Sequence, residues 1–346
     1  MTKITVIGDK LVSANTLENA ALSLNIEQPV IIEKYEWFAK ISEEKFQEKI
    51  KTIELNGPEH MEIPDGILES LQDSDYLLVH IAPVSKKMLD SAPNLKLIGT
   101  CRGGLEHIAR EEVKKRNIPL IHVIRNAEPV ADYTLGLIFT LTRNIAFSHE
   151  QVMQGQWPKK FINDPYKTTL GNLTVGLVGL GYIGKLVAKK LNNLGVRVLA
   201  YDPFVSEEKI KSQGVRVDLL ELEELFREAD IVSLHVRATP ETEGMVNDKL
   251  LSLMKPSSYI INTARPNILQ KGSLIETLDK HKIAGAAIDV VWEEPISIDD
   301  PLLKLDNIVI TSHIAGDTID AIPHSPHLLK DVMNEYFKQG ISDMLV

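Results

Sequence analysis

Residues 174–202 read TVGLVGLGYIGKLVAKKLNNLGVRVLAYD, and this stretch gives the strongest indication of the fold. It holds an apolar strand, a turn with three glycines (Gly179, Gly181 and Gly184), an amphipathic helix and a second apolar strand. Gly195 marks the predicted end of the helix, because glycine commonly ends helices. The order of strand, helix and strand predicts a parallel β-α-β unit and an α/β fold.

The three glycines have the spacing of a dinucleotide-binding turn. In such a turn Gly179 makes the sharp bend, Gly181 lets the backbone approach a pyrophosphate, and Gly184 allows the helix to pack closely on the strand. The helix N-terminus supplies N–H groups and the positive end of its dipole to the phosphates. A glycine turn without a ligand is the alternative, but strand, glycines, helix, strand and acid follow one another in the order that a nucleotide site requires.

Asp202 ends the second strand, about 20 residues beyond the glycines, where an acid binds the hydroxyls of the adenosine ribose. Its carboxylate would repel the 2′-phosphate of NADP, and the next residue, Pro203, offers no compensating cation. We therefore predict NAD as the cofactor.

The composition is that of a globular enzyme and excludes several functional classes. The 346 residues carry a net charge of -10 without a clustered basic surface, so we expect no nucleic-acid partner. No uncharged apolar stretch is long enough for a transmembrane helix, and the start leaves no room for a secretory signal. A single cysteine cannot form an intrachain disulfide, and no Cys/His cluster suggests a metal. We expect a cytoplasmic protein that binds neither a membrane nor a metal.

Strand-like and helical segments alternate along most of the chain, which predicts parallel sheets. The predicted strands are residues 4–8, 76–80, 96–100, 120–123, 174–178, 197–201, 231–235, 259–262, 285–290 and 308–311. One long helix is predicted over residues 130–145, and a final helix over residues 326–338 has Ser325 as its N-cap and Pro326 at its first position. Because the glycine turn lies in the middle of the chain, residues 1 to about 126 must form another domain, on which we expect the final helix to pack.

Arg265, Glu294 and His313 each come shortly after one of the last three predicted strands. The carboxyl ends of parallel strands meet at one edge of a sheet, so we expect these side chains to converge near the nicotinamide. The set fits the oxidation of a hydroxy acid. A histidine takes the hydroxyl proton, a carboxylate stabilises the imidazolium, and an arginine binds the substrate carboxylate.

At these positions the sequence resembles the D-isomer-specific 2-hydroxyacid dehydrogenase family, which includes phosphoglycerate, glyoxylate/hydroxypyruvate and D-lactate dehydrogenases. The matching segments occur in family order and cover most of the chain: residues 95–99, 130–136, 179–184, 234–236, 239–242, 262–265, 289–295 and 312–316. There are departures: Pro266 stands where a glycine usually follows the arginine, and Arg237 where a proline usually follows the Leu-His pair. Neither departure removes a catalytic group.

The resemblance implies two doubly wound α/β domains. A Rossmann NAD-binding domain over residues 127–318 is inserted into a split, flavodoxin-like substrate domain over residues 1–126 and 319–346. Members of the family are usually dimers built around the nucleotide domain and the helix that precedes it. We therefore expect a homodimer that acts on a small-molecule 2-hydroxy or 2-oxo acid.

The resemblance also implies residue roles. Arg265 anchors the substrate carboxylate, Glu294 is the partner of the histidine, and His313 is the acid/base. Beyond the three glycines and Asp202, the implied cofactor contacts are Tyr182, Ile183, His235, Val236, Thr263, Ala264 and Asp289, the last of them near the nicotinamide carboxamide.

The loop that contacts the substrate differs from the commoner family pattern. It reads Cys101-Arg-Gly-Gly104, and we predict that Arg102, Gly103 and Gly104 bind the substrate. Two glycines after a strand let backbone N–H groups face an anion in a small nest. An ordinary turn is the alternative.

Arg125 follows another predicted strand of the first domain. Surplus arginines suggest a second anionic group on the substrate, such as a phosphate or a distal carboxylate. The alternative for Arg125 is an ion pair with an acid such as Glu128. For His324 and His327, a contact with the substrate and a position at the surface at the start of a helix are both open.

The main hypothesis is an NAD-dependent enzyme acting on the CH–OH group of a D-2-hydroxy acid, similar to phosphoglycerate dehydrogenase. The alternative is an NAD-sensing scaffold or corepressor with little turnover, which an intact Arg–Glu–His set does not exclude. Oxidation of formate or phosphite is disfavoured, because the formate branch of the family pairs its histidine with glutamine, whereas Glu294 is an acid.

Overall fold

The computed structural model describes residues 1–346 apart from the side chain of Lys209, and it divides into two compact units. The first unit is Met1–Asn126 together with Thr318–Val346, and the second is Ala127–Asp317. Among the described residues, no helix is both long enough and apolar enough to cross a bilayer.

Strands and helices alternate through both units. The strands are β1 (Thr2–Asp9), β2 (Val30–Trp37), β3 (Tyr76–Val79), β4 (Leu97–Thr100), β5 (Leu120–His122), β6 (Thr174–Val178), β7 (Arg197–Tyr201), β8 (Asp218–Leu219), β9 (Ile231–Leu234), β10 (Tyr259–Asn262), β11 (Gly285–Ile288) and β12 (Ile308–Ile310). The helices are α1 (Ala14–Ala21), α2 (Glu43–Asn56), α3 (Ile67–Leu71), α4 (Lys86–Asp90), α5 (Arg110–Lys115), α6 (Ala127–Thr142), α7 (Ile145–Met153), α8 (Tyr182–Asn193), α9 (Glu207–Ser212), α10 (Leu222–Glu228), α11 (Asp248–Leu251), α12 (Lys271–Asp279) and α13 (Ala321–Gln339). Short 3-10 turns lie at Leu170–Asn172, Pro266–Ile268 and Pro301–Lys304.

The first unit is built on a parallel sheet in the order β2-β1-β3-β4-β5. This is the flavodoxin-like order, in which the direction of strand addition reverses between β1 and β3. Trp37 and Phe46 belong to the apolar core of this unit. Helix α13 packs against α1, β4 and β5, so the C-terminal segment belongs to this unit, as expected.

The second unit is built on a parallel sheet in the order β12-β11-β10-β9-β6-β7-β8. Here the direction of strand addition reverses between β6 and β9, which is the Rossmann arrangement. The strands of this sheet are largely buried on both faces, because helices cover them on each side. The predicted fold class, two doubly wound α/β domains, is therefore confirmed.

The predicted strands all occur, within two residues of their predicted bounds, and the helix predicted over residues 130–145 occurs as well, but its predicted end is wrong. Helix α6 ends at Thr142 and α7 starts at Ile145. Between them Asn144 has a φ of +57°, and its side-chain Nδ2 donates a hydrogen bond to Oδ1 of Asn163 at 2.7 Å. Asparagine tolerates this left-handed conformation better than most residues, and the bond to Asn163 fixes the break.

The start of the final helix was also predicted wrongly, because Pro326 lies inside α13 and Ser325 is not its N-cap. A proline at this position lacks the N–H that would bond to the carbonyl oxygen of Ile322. The hydroxyl of Ser325 donates to that oxygen at 2.6 Å instead. The helix can therefore begin at Ala321, more than a turn before the proline.

Candidate active site

His313 and Glu294 form a hydrogen-bonded pair beyond the carboxyl ends of β12 and β11. The Nδ1 atom of His313 lies 2.8 Å from Oε2 and 3.1 Å from Oε1 of Glu294. The ring donates its Nδ1–H to the carboxylate, which leaves Nε2 for a reacting group. The side chains are 47% and 41% exposed, so a small substrate can reach the pair.

The pKa of Glu294 is lowered from its ordinary value, first by the hydrogen bond that it accepts from His313. Desolvation acts in the opposite direction, and the N–H of Val291 and the positive charge of Arg265 add smaller lowering effects. Glu294 is therefore a carboxylate at neutral pH and can stabilise positive charge on the ring beside it.

Asp289, buried directly after β11, braces the loop that carries His313. One of its oxygens accepts hydrogen bonds from the hydroxyl of Thr311 at 2.6 Å and the N–H of Ile314 at 3.0 Å, and the other accepts from the N–H of Ala315 at 2.8 Å. These bonds surround His313, whose backbone has a φ of +58°. A histidine keeps this uncommon conformation where its surroundings fix it. Asp289 thus helps to set the direction of the ring.

Arg265 follows β10 in a loop braced by the side chain of Asn262. The Oδ1 of Asn262 accepts from the N–H of Ala264, and its Nδ2 donates to the carbonyl oxygen of Arg265, both at 3.0 Å. The guanidinium donates to the carbonyl oxygen of Ala264 at 2.7 Å, and the residue is exposed. Its other N–H donors are available to bind a carboxylate in the bidentate manner that arginine favours. Thr263 is buried and its hydroxyl bonds to that of Thr134 on α6 at 3.0 Å.

The glycine turn has the shape that a pyrophosphate requires. Gly179 has a φ of +100°, and a Cβ atom added to Gly184 would lie 2.1 Å from the carbonyl oxygen of Gly179. At Gly181, by contrast, an added Cβ would meet no atom of the described chain within 4 Å. Close packing at the outer glycines and open space at the middle one let a phosphate approach the backbone N–H groups. The residues present therefore fit a dinucleotide.

Asp202 ties the end of β7 to the glycine turn. Its Oδ2 accepts a hydrogen bond from the N–H of Leu180 at 2.8 Å, and its Oδ1 accepts from the N–H of Phe204 at 2.9 Å. The carboxylate is held next to the turn that would bind the pyrophosphate, which is the position expected of a ribose ligand.

The other predicted cofactor residues lie around the same turn. The backbone of His235 is close enough to Gly179 that an added Cβ there would lie 2.9 Å from it, and Val236 is equally close. The Nε2 of His235 bonds to the hydroxyl of Ser233 at 2.9 Å, and burial lowers the pKa of His235 to about 4, so the ring is neutral. Tyr182 and Ile183 open helix α8, and both are half-buried.

In the first unit, Arg102 binds carboxylates of its own unit. Its Nη2 donates to Oε1 of Glu54 on α2, and its Nη1 lies 4.0 Å from Oε2 of Glu106. Gly103 and Gly104 both lack a positive φ, whereas a nest of the kind predicted alternates right- and left-handed residues. The structure thus adds two acidic partners for Arg102 that the sequence did not indicate.

Glu128, the acid considered as a partner of Arg125, lies 2.8 Å from the ammonium group of Lys190. Arg125 instead donates from its Nη1 to Nε2 of His80. His324 and His327 lie exposed on α13 with their ring centroids 5.6 Å apart.

Within the second unit, the structure brings His313 and Glu294 into contact and places Arg265 where its charge acts on Glu294. Sequence reasoning missed the bracing roles of Asn262 and Thr311. Both are polar residues at the ends of strands, the same signal that singled out the catalytic candidates.

Comparisons with known proteins agree with this geometry. Residues 135–315 match the family described as D-isomer specific 2-hydroxyacid dehydrogenase, NAD binding domain. Over 264 residues the chain is 38% identical to a glyoxylate reductase of Thermofilum pendens, covering 74% of this chain and 76% of that protein. The chain belongs to the D-isomer specific 2-hydroxyacid dehydrogenase family. This confirms the predicted family, and the matched domain confirms NAD as the cofactor.

One further relative and one solved structure are similar to the chain over different shares of their own length. A D-3-phosphoglycerate dehydrogenase of Methanocaldococcus jannaschii is 32% identical over 307 residues, covering 87% of this chain but 57% of that protein. The fold is similar to that of a D-isomer specific 2-hydroxyacid dehydrogenase from Lactobacillus delbrueckii ssp. bulgaricus, solved as its NAD complex. The TM-score is 0.67 and the identity 24%, over the whole of both chains.

The position of Asp202 predicts the cofactor preference. NADH should bind at least about tenfold more tightly than NADPH, a difference of about 1.4 kcal/mol, because the carboxylate repels the extra phosphate. A fluorescence titration with both nucleotides measures the ratio. Asp202→Asn keeps the size of the side chain and removes its charge, so it should narrow the difference. Equal affinities for the wild type would contradict the prediction.

Proposed function

We propose that this chain is an NAD-dependent D-2-hydroxyacid dehydrogenase that transfers a hydride between nicotinamide and C2 of a 2-hydroxy or 2-oxo acid. The observation that carries the proposal is the contact of His313 with Glu294, with Arg265 close by, in the domain that binds NAD. Histidine, carboxylate and arginine are the groups that proton transfer and carboxylate binding need.

Each of the three residues has one role in this mechanism. During oxidation, Nε2 of His313 accepts the proton of the substrate hydroxyl, and Glu294 stabilises the charge that the ring gains. During reduction, the same nitrogen returns the proton to the carbonyl oxygen. Arg265 binds the substrate carboxylate through its N–H donors and so fixes C2 relative to His313.

The cofactor supplies the hydride acceptor or donor when it is bound. The residues that would hold it are Gly179, Gly181, Gly184 and Asp202, and we propose that His235, Val236, Thr263, Ala264, Tyr182, Ile183 and Asp289 complete the site. The buried, braced state of Asp289 and Thr263 supports a preformed site, because their side chains have partners within the unit.

For the substrate we propose a 2-oxo or 2-hydroxy acid that carries a second anionic group, a phosphate or a distal carboxylate. Arg265 is proposed to bind the first carboxylate, and Arg102 in the first unit is proposed to bind the second anion. The buried Nη1 of Arg102 makes no hydrogen bond within the described chain, which supports a ligand for that atom.

Turnover of NADH with a panel of 2-oxo acids tests the enzymatic proposal. Tight NADH binding without turnover of any of them would favour the alternative, an NAD-sensing scaffold.

We also propose that the protein is a homodimer. Helix α7 has no buried residue, although it contains Ile145, Val152 and Met153. Trp157 and Ile162, in the segment that follows, are also exposed, and the five side chains have individual exposures of 38–74%. Apolar surface of this kind, contributed by consecutive segments, is typical of a face that a second copy covers.

The charge of Glu294 should set the pH dependence of the reaction. Because the hydrogen bond from His313 lowers the pKa of Glu294, ionised Glu294 reciprocally favours the protonated ring. Reduction needs the protonated ring, so its rate falls as the pH rises. In Glu294→Gln this fall should move to lower pH, because the variant lacks the carboxylate that favours the protonated ring.

The measurement is kcat/KM for reduction as a function of pH. Glu293→Gln is the matched control, because that neighbouring acid is exposed and should leave the profile in place. A Glu294→Gln profile that superimposes on the wild type would remove Glu294 from the proposed role.

Arg102→Ala should reduce kcat/KM for a dicarboxylic or phosphorylated 2-oxo acid. The expected loss of transition-state stabilisation is about 1.5–3 kcal/mol, the scale of a lost hydrogen bond to a charged group. The loss for a small monoanionic substrate such as pyruvate should be much smaller. Arg110→Ala is the control, because Arg110 is exposed at the start of α5. Equal losses for both kinds of substrate would show that Arg102 holds its loop through Glu54 instead.

Light scattering after gel filtration should give the mass of two chains. Met153→Asp combined with Trp157→Asp should give a monomer, since two charges would be buried in the interface without partners. Ile298→Asp, at a residue 86% exposed elsewhere in the same unit, should stay dimeric. A wild-type monomer at all concentrations tested would rule out the dimer.

A further inference from the structure

A buried chain of three polar side chains lies at the carboxyl edge of the first sheet. Asp9 is the last residue of β1, His80 directly follows β3, and Arg125 follows β5. Oδ2 of Asp9 lies 2.8 Å from Nδ1 of His80, and both of these side chains are fully buried. Nη1 of Arg125 is hydrogen-bonded to Nε2 of the same ring.

The partners of His80 fix its protonation state. A guanidinium can only donate, so Nε2 of His80 must accept from Arg125. The ring proton is therefore on Nδ1 and is donated to Asp9. The carboxylate of Asp9 is itself held by the N–H groups of Leu11 and Val12 on Oδ1 and of Ile81 on Oδ2. The ring is held in one tautomer and one orientation. In this orientation Nε2 accepts the hydrogen bond from Arg125 and so fixes the guanidinium.

The charge of Arg125 is poorly compensated in the free protein. Within the described chain no carboxylate lies within ion-pairing distance of it, and Asp9 acts on it only across the imidazole ring. Burial, and after it the charge of Arg102, lower the pKa of Arg125. The other titratable groups that act on this cluster are Cys101, which is buried, His107, whose pKa burial holds well below its ordinary value, and Glu36, whose pKa is raised by burial and by the charge of Asp9. Arg102 is already paired with Glu54, so Arg125 is the cation with little compensation, and its charge favours an anion as its ligand.

The topology places this cluster where open α/β sheets bind ligands. In the order β2-β1-β3-β4-β5 the direction of strand addition reverses between β1 and β3, and ligands bind beyond the carboxyl ends at that point. Asp9 and His80 follow these two strands. The network has a carboxylate, Asp9, at its buried end and the partly exposed Arg125 at the other end, where a ligand can reach it.

We propose that Asp9 and His80 are positioning residues that hold Arg125 as an anion-binding group of the first unit, specific for the compact second anion, phosphate or carboxylate, of the substrate. This inference rests on the proposed function, in that it identifies the feature that selects substrates with two anionic groups. It assigns to the buried pair a role in selectivity that acts through Arg125 rather than through contact with the substrate.

The experiment compares oxaloacetate with pyruvate, because the two differ by the distal carboxylate. His80→Gln places an amide near the position of Nε2 and can still accept from Arg125. His80→Asn places an amide near Nδ1 and keeps only the bond to Asp9. If His80 positions Arg125, His80→Gln should keep most of the preference for oxaloacetate, whereas His80→Asn should lose it at least about tenfold, mainly through KM. A role limited to the fold predicts no such difference, or the reverse order.

Binding of inorganic phosphate to the NADH complex, measured by calorimetry, gives a readout that does not depend on turnover. It should weaken in the order wild type, His80→Gln, His80→Asn. Arg125→Met should weaken phosphate binding and remove the preference, and because Arg125 is partly exposed it supplies the test if the His80 variants fail to fold. Arg110→Met is the matched control, and it should retain both properties.

The two proposals fail in different ways. Turnover of both acids with an unchanged ratio and unchanged phosphate binding in Arg125→Met would overturn this inference and leave the dehydrogenase in place. Phosphate binding that follows the expected order, without turnover of any 2-oxo acid, would contradict the proposed dehydrogenase activity. It would leave the proposed anion site in place.

Discussion

Every strand in both sheets runs parallel to its neighbours, so all the strands of a sheet end at the same edge. The loops beyond this edge have backbone N–H groups that no neighbouring strand can bond. In each unit a buried aspartate accepts hydrogen bonds from such N–H groups. Asp289 accepts from the N–H groups of Ile314 and Ala315, and Asp9 accepts from those of three residues that follow β1 and β3. The geometry of both candidate sites depends on these two carboxylates, because the loops that they hold carry the histidines.

The two histidine–carboxylate pairs have the same distance and different consequences. In both, Nδ1 of the ring lies 2.8 Å from a carboxylate oxygen. His80 and Asp9 are sealed from solvent, and Nε2 of His80 is occupied by Arg125. That ring can orient a neighbour but has no free nitrogen with which to exchange a proton. His313 is about half exposed. Within the described chain, its ring makes hydrogen bonds only through Nδ1. Burial, rather than the pair itself, separates the positioning role proposed for His80 from the acid/base role proposed for His313.

Elements that neighbouring residues indicate could be predicted from the sequence. Features that depend on the surroundings of a residue in the fold were missed. A few consecutive residues are enough to indicate the glycine turn and each apolar strand. Strand β2 was missed because Glu33, Lys34 and Glu36 make it polar, as an edge strand can be. The break at Asn144 and the early start of α13 each depend on one side-chain hydrogen bond that composition does not reveal. The hydrogen-bonding partners of Arg102 and Arg125, Glu54 and His80, lie 48 and 45 residues away in the chain, so no spacing rule could supply them.

The arginines differ in what an incoming anion must displace. Arg265 and Arg125 bond to a carbonyl oxygen and to a neutral ring, respectively, and within the described chain neither pairs with a carboxylate. An anion can therefore bind them without breaking an ion pair, and it relieves the cost of a poorly compensated cation. Arg102 already binds Glu54, so an anion must share that guanidinium through Nη1 or compete with the glutamate. The two arginines whose charges the fold leaves least compensated, one in each unit, should therefore contribute most to the free energy of binding an anion.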